Sequence, residues 1–158
     1  MRKDVATKLH ELMSENEDIL LLVGDLGFGL FNEIRDDFPD RFYNVGAAET
    51  ALLDIGIGLA LEGKKPVCYS ITPFLLYRPF ESIRTYINHE SIPVILVGSG
   101  RDDNYEIDGF SHDATDDHLF MSHFKNIKSY WPPDSKEACE VLDEAVKGDS
   151  PVYLNLTR

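Results

Sequence analysis

The chain has 158 residues, with 15 Lys+Arg against 28 Asp+Glu, and a formal net charge of −13. Hydrophobic residues at 43% suffice for one core, and the length is short for two; the acidic balance argues against a basic face for nucleic acid or an anionic membrane surface. No uncharged apolar run approaches the roughly 18 residues of a spanning helix, the first residues read as no hydrophobic leader, and Cys68 and Cys139 make neither a disulfide framework nor a metal set, so the expectation is a soluble, cytoplasmic, single-domain protein.

Asp4 to Asn16 places Val5, Leu9, Leu12 and Met13 on one helical face. Ile19 to Val23 is a continuous apolar run ending at Gly24, as expected of a strand buried on both faces. A helix is predicted over Phe28 to Phe38, stopped by Pro39, and a short strand over Phe42 to Val45. Thr50 to Gly63 reads as a helix rich in small residues with Gly63 as its cap. Pro66 to Ile71 is strand-like, Phe74 to Asn88 helical, and Pro93 to Val97 another buried strand. Gly98 to Thr115 is a long irregular segment of the kind that often carries function. A short helix (Asp116 to Phe124), a strand near Ile127 to Tyr130, a helix (Ser135 to Val146, with Asp134 as N-cap and Glu137 three residues on) and a last strand (Val152 to Leu156) follow. This alternation predicts a three-layer α/β/α fold around a mostly parallel sheet.

Ligands of such sheets sit beyond the carboxyl ends of the strands. Those ends are Gly24 to Gly27, Asn44 to Glu49, Ser70 to Phe74, and Gly98 onward. Glu49 opens a helix after Val45-Gly46-Ala47-Ala48; as a first-turn carboxylate it would gain about 0.3–1 kcal/mol from the helix dipole. Its small, apolar neighbours support another reading, a desolvated carboxylate with a raised pKa, able to share a proton with a ligand nitrogen. Gly56 and Gly58 in the following helix mark a close approach, either to the sheet or to a second subunit. Phe74, Tyr77 and Phe80 recur every third residue, a spacing that fits core packing or an aromatic face for a flat ring. His112 lies among Asp108, Asp113, Asp116 and Asp117, acidic neighbours that favour proton exchange near neutrality. The spacing of His112, His118 and these aspartates matches no strong metal motif, and no phosphate loop, dinucleotide turn or nucleophile elbow is present.

Four segments in order carry a family resemblance: Phe38-Pro39-Asp40-Arg41-Phe42-Tyr43-Asn44-Val45-Gly46-Ala47-Ala48-Glu49, Gly58-Leu59-Ala60-Leu61-Glu62-Gly63-Lys64-Lys65-Pro66, Pro73-Phe74-Leu75 with Arg78 and Glu81-Ser82-Ile83-Arg84, and Asp108-Gly109-Phe110-Ser111-His112. Together they resemble the pyrimidine-binding domain of transketolase-like thiamine-diphosphate enzymes, including 1-deoxyxylulose-5-phosphate synthase. The resemblance implies that Glu49 hydrogen-bonds N1′ of the aminopyrimidine. It further implies that Phe74 or Tyr77, supported by Phe80, stacks on that ring. His112 would exchange protons with substrate hydroxyls, and Asp108 would orient it or bind a hydroxyl. Asp25 is a candidate for the subunit contact around the cofactor, and Arg78 for a substrate phosphate, or else for pairing with Glu81.

Departures from the pattern shape the expected assembly. No stretch matches the family's G-D-G…N metal motif, and the diphosphate-binding and C-terminal domains are expected to be absent. Asp113 stands where the family commonly has Gln, an added negative charge that disfavours a phosphate placed beside it. The resemblance therefore implies the pyrimidine-binding subunit of a split transketolase-like enzyme, carrying out ketol (two-carbon) transfer within a heterotetramer whose partner holds the diphosphate and Mg²⁺. A subunit of a thiamine-dependent 2-oxo acid decarboxylase or dehydrogenase, and a catalytically silent assembly subunit, are the alternatives.

Overall fold

The structure, a computed structural model, describes residues 1–158. Six strands, β1 (Ile19–Val23), β2 (Phe42–Asn44), β3 (Lys65–Ile71), β4 (Ile95–Ser99), β5 (Lys128–Tyr130) and β6 (Val152–Leu156), form one all-parallel sheet in the order β2-β1-β3-β4-β6-β5. The alternation of side chains along each strand sends successive residues to opposite faces. Leu21 and Val23 of β1 join Val67, Val97 and Leu154 beneath α1 (Arg2–Glu15) and α7 (Ser135–Lys147). Leu20 and Leu22 join Cys68, Leu96 and Tyr153 on the other face, beneath α3 (Glu49–Leu61) and the segment that follows β3. The inner strands are therefore buried nearly throughout because helices cover both sides, while the edge strands β2 and β5 are partly exposed.

The sequence locates every strand, with shifts of one or two residues at most ends, and β1 and β6 coincide with their expected bounds. Asp134 caps α7 as expected, its carboxylate accepting from the Glu137 N–H at 3.0 Å. Two helices differ. The one expected from Phe28 begins at Asn32 (α2, Asn32–Asp37), because Gly27 and Gly29 take left-handed φ values of 87° and 77° and hold a turn. The one expected over Phe74 to Asn88 is three pieces: α4 (Thr72–Tyr77), α5 (Phe80–Ser82) and a π-helical turn (Ile83–His89). Pro79 lacks the N–H that would continue α4 and separates the first two. The loop after β4 contains two short 3₁₀ turns, Glu106–Asp108 and Phe110–His112, and leads to α6 (Asp117–Met121). No helix is long and apolar enough to cross a membrane.

Of the two small residues marking a close approach in α3, Gly56 faces the sheet. A Cβ there would stand 2.7 Å from Cys68 Sγ, whereas one on Gly58 would meet nothing within 4 Å.

Candidate active site

The chain leaves β1 toward β2 on one side, and leaves β3 toward β4 on the other. The carboxyl ends of these neighbouring strands are therefore a topological switch point, where the two connecting loops part and open a crevice. Glu49, the first residue of α3, reaches into this point. It is 1% exposed, and its Oε1 accepts a hydrogen bond from the buried Ser70 hydroxyl of β3 at 2.8 Å. Gly24, at the end of β1, closes the other side: a Cβ added to it would lie 2.8 Å from Ser70 Oγ and 3.1 Å from Glu49 Oε1. The glycine is thus required by space, and the absence of a side chain is what lets the carboxylate in.

The second carboxylate oxygen faces outward. Arg78, just beyond α4, donates from Nη1 to Glu49 Oε2 at 2.5 Å, and its guanidinium carbon lies 3.7 Å from the centre of the Phe74 ring. The Phe74 ring in turn meets His112 edge-on, with ring centres 4.8 Å apart. Glu49, Arg78, Phe74 and His112 form one continuous group drawn from three of the four rim segments. Arg78 pairs with Glu49, twenty-nine positions away, and not with Glu81, the local partner that helical spacing offered.

Other expected site residues fall elsewhere. Tyr77 and Phe80 turn away from Phe74 and pack edge-on against Phe120, with ring centres at 4.9 and 5.7 Å, and Phe80 also meets Phe124. The Tyr77 hydroxyl donates to Asp116, and burial together with that carboxylate pushes its pKa above the usual tyrosine value. Of the three-residue aromatic stripe, only Phe74 meets Arg78 and His112; Tyr77, on the same helix α4, and Phe80, beyond the break at Pro79, both pack against Phe120. Asp108 is exposed, and the partner of His112 Nδ1 is the Ser111 hydroxyl at 3.0 Å; orientation of the imidazole falls to Ser111 in place of Asp108. None of the aspartates near His112 in sequence pairs with it: Asp113 accepts from the Thr115 N–H, Asp116 from Tyr77 and Asp117 from a buried cluster. Asp25 sits in the turn after β1 with a left-handed φ of 52°, its N–H donating to Asn44 Oδ1 at 3.2 Å. That turn flanks Gly24 without touching Glu49's carboxylate.

Sequence reasoning passed over Ser70 and Gly24. Both stood at the start of rim segments, Gly24 to Gly27 and Ser70 to Phe74, but were given no role of their own; the signal for Ser70 was a single hydroxyl inside the apolar strand Lys65–Ile71.

Residues 1–158 match the family described as the pyrimidine-binding domain of transketolase. The chain belongs to this transketolase pyrimidine-binding family. It is 34% identical over 120 residues to one of the subunits of the apulose-4-phosphate transketolase of Actinobacillus succinogenes, covering 76% of this chain and 39% of that one. It is 29% identical over 159 residues to the putative transketolase C-terminal section of Methanocaldococcus jannaschii, covering 100% of this chain and 50% of that one. Among solved structures it superposes with TM-score 0.87 on a split gene transketolase described as an inactive beta4 tetramer, at 29% identity, over 99% of this chain and 50% of that one. The chain thus spans half or less of the length of these relatives. In this transketolase-family domain the buried glutamate opens α3 at the switch point, and the aromatic ring and the arginine flank its outward oxygen.

Proposed function

We propose that this chain is the pyrimidine-binding subunit of a split transketolase-like enzyme, and that Glu49 is the carboxylate that engages the aminopyrimidine of thiamine diphosphate. The observation that carries this reading is the asymmetry of the Glu49 carboxylate: Oε1 is held inside by Ser70, and Oε2 is presented beside the Phe74 ring. A buried acid with one outward-facing oxygen next to an aromatic plane fits a flat ring bearing a nitrogen at its edge. The cofactor, when bound, supplies an acidic thiazolium C–H and an electron sink for cleaving a bond beside a carbonyl.

This chain's own residues then have distinct tasks. Ser70 fixes the rotation of the carboxylate. Phe74 supports one face of the ring. Glu49 shares a proton with the ring nitrogen in a site from which water is excluded. His112, against the far edge of Phe74, is placed to exchange a proton with a substrate hydroxyl, with Ser111 setting the orientation of its ring. Asp25 and Asp108, both exposed on the rim, are proposed to face the second chain and substrate hydroxyls respectively.

The diphosphate and Mg²⁺ are assigned to a partner chain. Three of the largest exposed apolar side chains, Phe28, Ile107 and Phe110, lie in the rim segments after β1 and β4, where such a partner would cover them. The relative described as an inactive tetramer of one chain type supports the need for a second chain. We propose a heterotetramer acting on a ketose or related substrate by two-carbon transfer.

The test is transfer activity of the complex reconstituted with a diphosphate-binding partner, wild type against Glu49→Gln. The variant keeps the shape of the side chain and loses the shared proton, so a fall of at least about 100-fold in kcat is expected. Full activity in the variant would remove Glu49 from the role assigned here.

A further inference from the structure

Both oxygens of Glu49 are engaged before any ligand arrives, and the two engagements are unlike. Ser70 belongs to the sheet and is fully buried. Arg78 ends a long flexible side chain that is 44% exposed, yet its guanidinium reaches Oε2 and lies close enough to sit 3.7 Å from the Phe74 centroid. A planar cation that stacks on an aromatic ring while donating an N–H to a buried carboxylate makes the contacts that an aminopyrimidine would make. We propose that Arg78 is an internal occupant of the ring seat, and that it must swing out before a ring can enter. This inference rests on the function proposed above.

Arg78 then affects both affinity and proton balance. The apparent affinity for the ring is lowered by the fraction of molecules in which Arg78 holds the seat. Arg78 is the cation that pairs with the buried Glu49 carboxylate. A neutral ring nitrogen presents a lone pair, so replacing the guanidinium by it leaves two acceptors facing each other unless one proton binds between them. No other charge is placed to substitute. The remaining neighbours of the carboxylate are the neutral Ser70 of β3 and Gly24 of β1, and His112 lies across the Phe74 ring with Nδ1 bonded to Ser111. Ring binding should therefore take up about one proton, and Arg78 is the residue that sets this requirement.

Titration calorimetry of thiamine diphosphate into the complex reconstituted with the diphosphate-binding partner, at fixed Mg²⁺ and in two buffers of different ionisation enthalpy, reads affinity and proton uptake together. Arg78→Ala is expected to bind about tenfold or more tightly than wild type, with proton uptake falling toward zero because no guanidinium is displaced from the carboxylate when the ring enters. Arg78→Lys keeps the charge and loses the plane; it is expected to bind a few-fold tighter with uptake retained, and it decides the matter should the alanine variant not fold. Equal or weaker binding by the variants overturns the proposal, as does uptake unaltered by Arg78→Ala. A wild-type complex that does not bind thiamine diphosphate at all refutes the functional reading itself, and the inference with it.

Discussion

Asp117 begins α6 and is fully buried, and its Oδ2 accepts three hydrogen bonds: from Trp131 Nε1 at 2.8 Å, from the Tyr153 hydroxyl at 2.8 Å and from the Asn155 amide. Tyr153 and Asn155 lie on β6 and are themselves fully buried, so Asp117→Ala leaves two donors with no route to water. Each orphaned neutral donor costs about 1–3 kcal/mol, while Trp131, half-buried, can turn its N–H to solvent. Against this, the substitution removes the cost of burying a carboxylate whose other oxygen has no hydrogen-bond partner. The expected net loss is about 2–4 kcal/mol, or a fall in Tm of about 5–15 °C for a chain of this size. Asp117→Asn is the contrast. Its carbonyl can occupy the Oδ2 position and keep the acceptor for all three donors, and the single cost is a buried amide in place of an oxygen that makes no bond, so the loss should be smaller than that of Asp117→Ala by about 1–2 kcal/mol. Trp131, the single tryptophan of the chain, reports the transition by fluorescence, because its indole both donates to Asp117 and stacks on His118 with ring centres 3.8 Å apart. Urea unfolding followed by fluorescence and by far-ultraviolet dichroism measures both variants. Equal destabilisation by Asn and Ala would show that the negative charge holds this cluster, and would refute the donor-counting argument.

Gly24→Ala forces a methyl to within 2.8 Å of Ser70 Oγ, so the hydroxyl must rotate away from Glu49; destabilisation of about 1–3 kcal/mol is expected. Combined with Ser70→Ala, the double variant should be more stable than the sum of the single effects by at least about 0.5 kcal/mol, and strict additivity in urea unfolding would disprove the clash. Acid unfolding should begin below about pH 4. Asp18 and Asp149 are held below the ordinary aspartate value of 3.8 by hydrogen bonds from Lys64 and Lys65, and Asp143 by one from Lys147. A carboxyl whose folded pKa lies below its unfolded value contributes in full above the unfolded value and loses that contribution as pH falls through the folded one. The urea midpoint should therefore drop as pH falls below about 4, by less in high salt; a flat profile would contradict the sign. Burial pushes the Cys68 thiol far above its usual pKa, whereas Cys139 is partly exposed and raised less. Brief alkylation at about pH 8 followed by peptide mass mapping should label Cys139 slowly and Cys68 only after unfolding.

Strands β1, β4 and β6 were legible because each is a buried run covered on both faces, a property that sequence displays directly, whereas the short edge strands β2 and β5 gave a weaker signal. The switch point was legible too, since a glycine or a small polar stretch follows each strand that reaches it. What stayed hidden depends on distant parts of the chain meeting. Phe74, Tyr77 and Phe80 have helical spacing, yet spacing does not reveal that the chain brings Phe120 against Tyr77 of α4 and against Phe80 beyond the break at Pro79, leaving Phe74 alone beside Arg78. Arg78 had a local partner in Glu81 and chose a remote one, because a buried carboxylate gains more from a cation than an exposed one does. Asp117 read as one more charge in the acidic loop, and only tertiary packing reveals that β6 aims Tyr153 and Asn155 at it.

The contrast between the two buried acids supports the proposed role of Glu49. Of 28 acidic residues, Glu49 and Asp117 are the only two buried. Burial of a carboxylate demands donors, and the nature of those donors differs. Two of the three donors to Asp117 are buried on the central part of the sheet, and moving either would disturb packing beneath α6; that carboxylate is committed to holding the loop after β4 against β6. Glu49 has one donor of that fixed kind, Ser70, and one that reaches in from solvent, Arg78. A group whose partners are all fixed cannot change state without unfolding something. A group with one fixed and one movable partner keeps its orientation while its outward oxygen exchanges a guanidinium for another planar ligand, and that exchange needs only a rotation of an exposed side chain. This difference supports the role proposed for Glu49 at the crevice between β1 and β3, where the loops part and leave the movable partner room to withdraw.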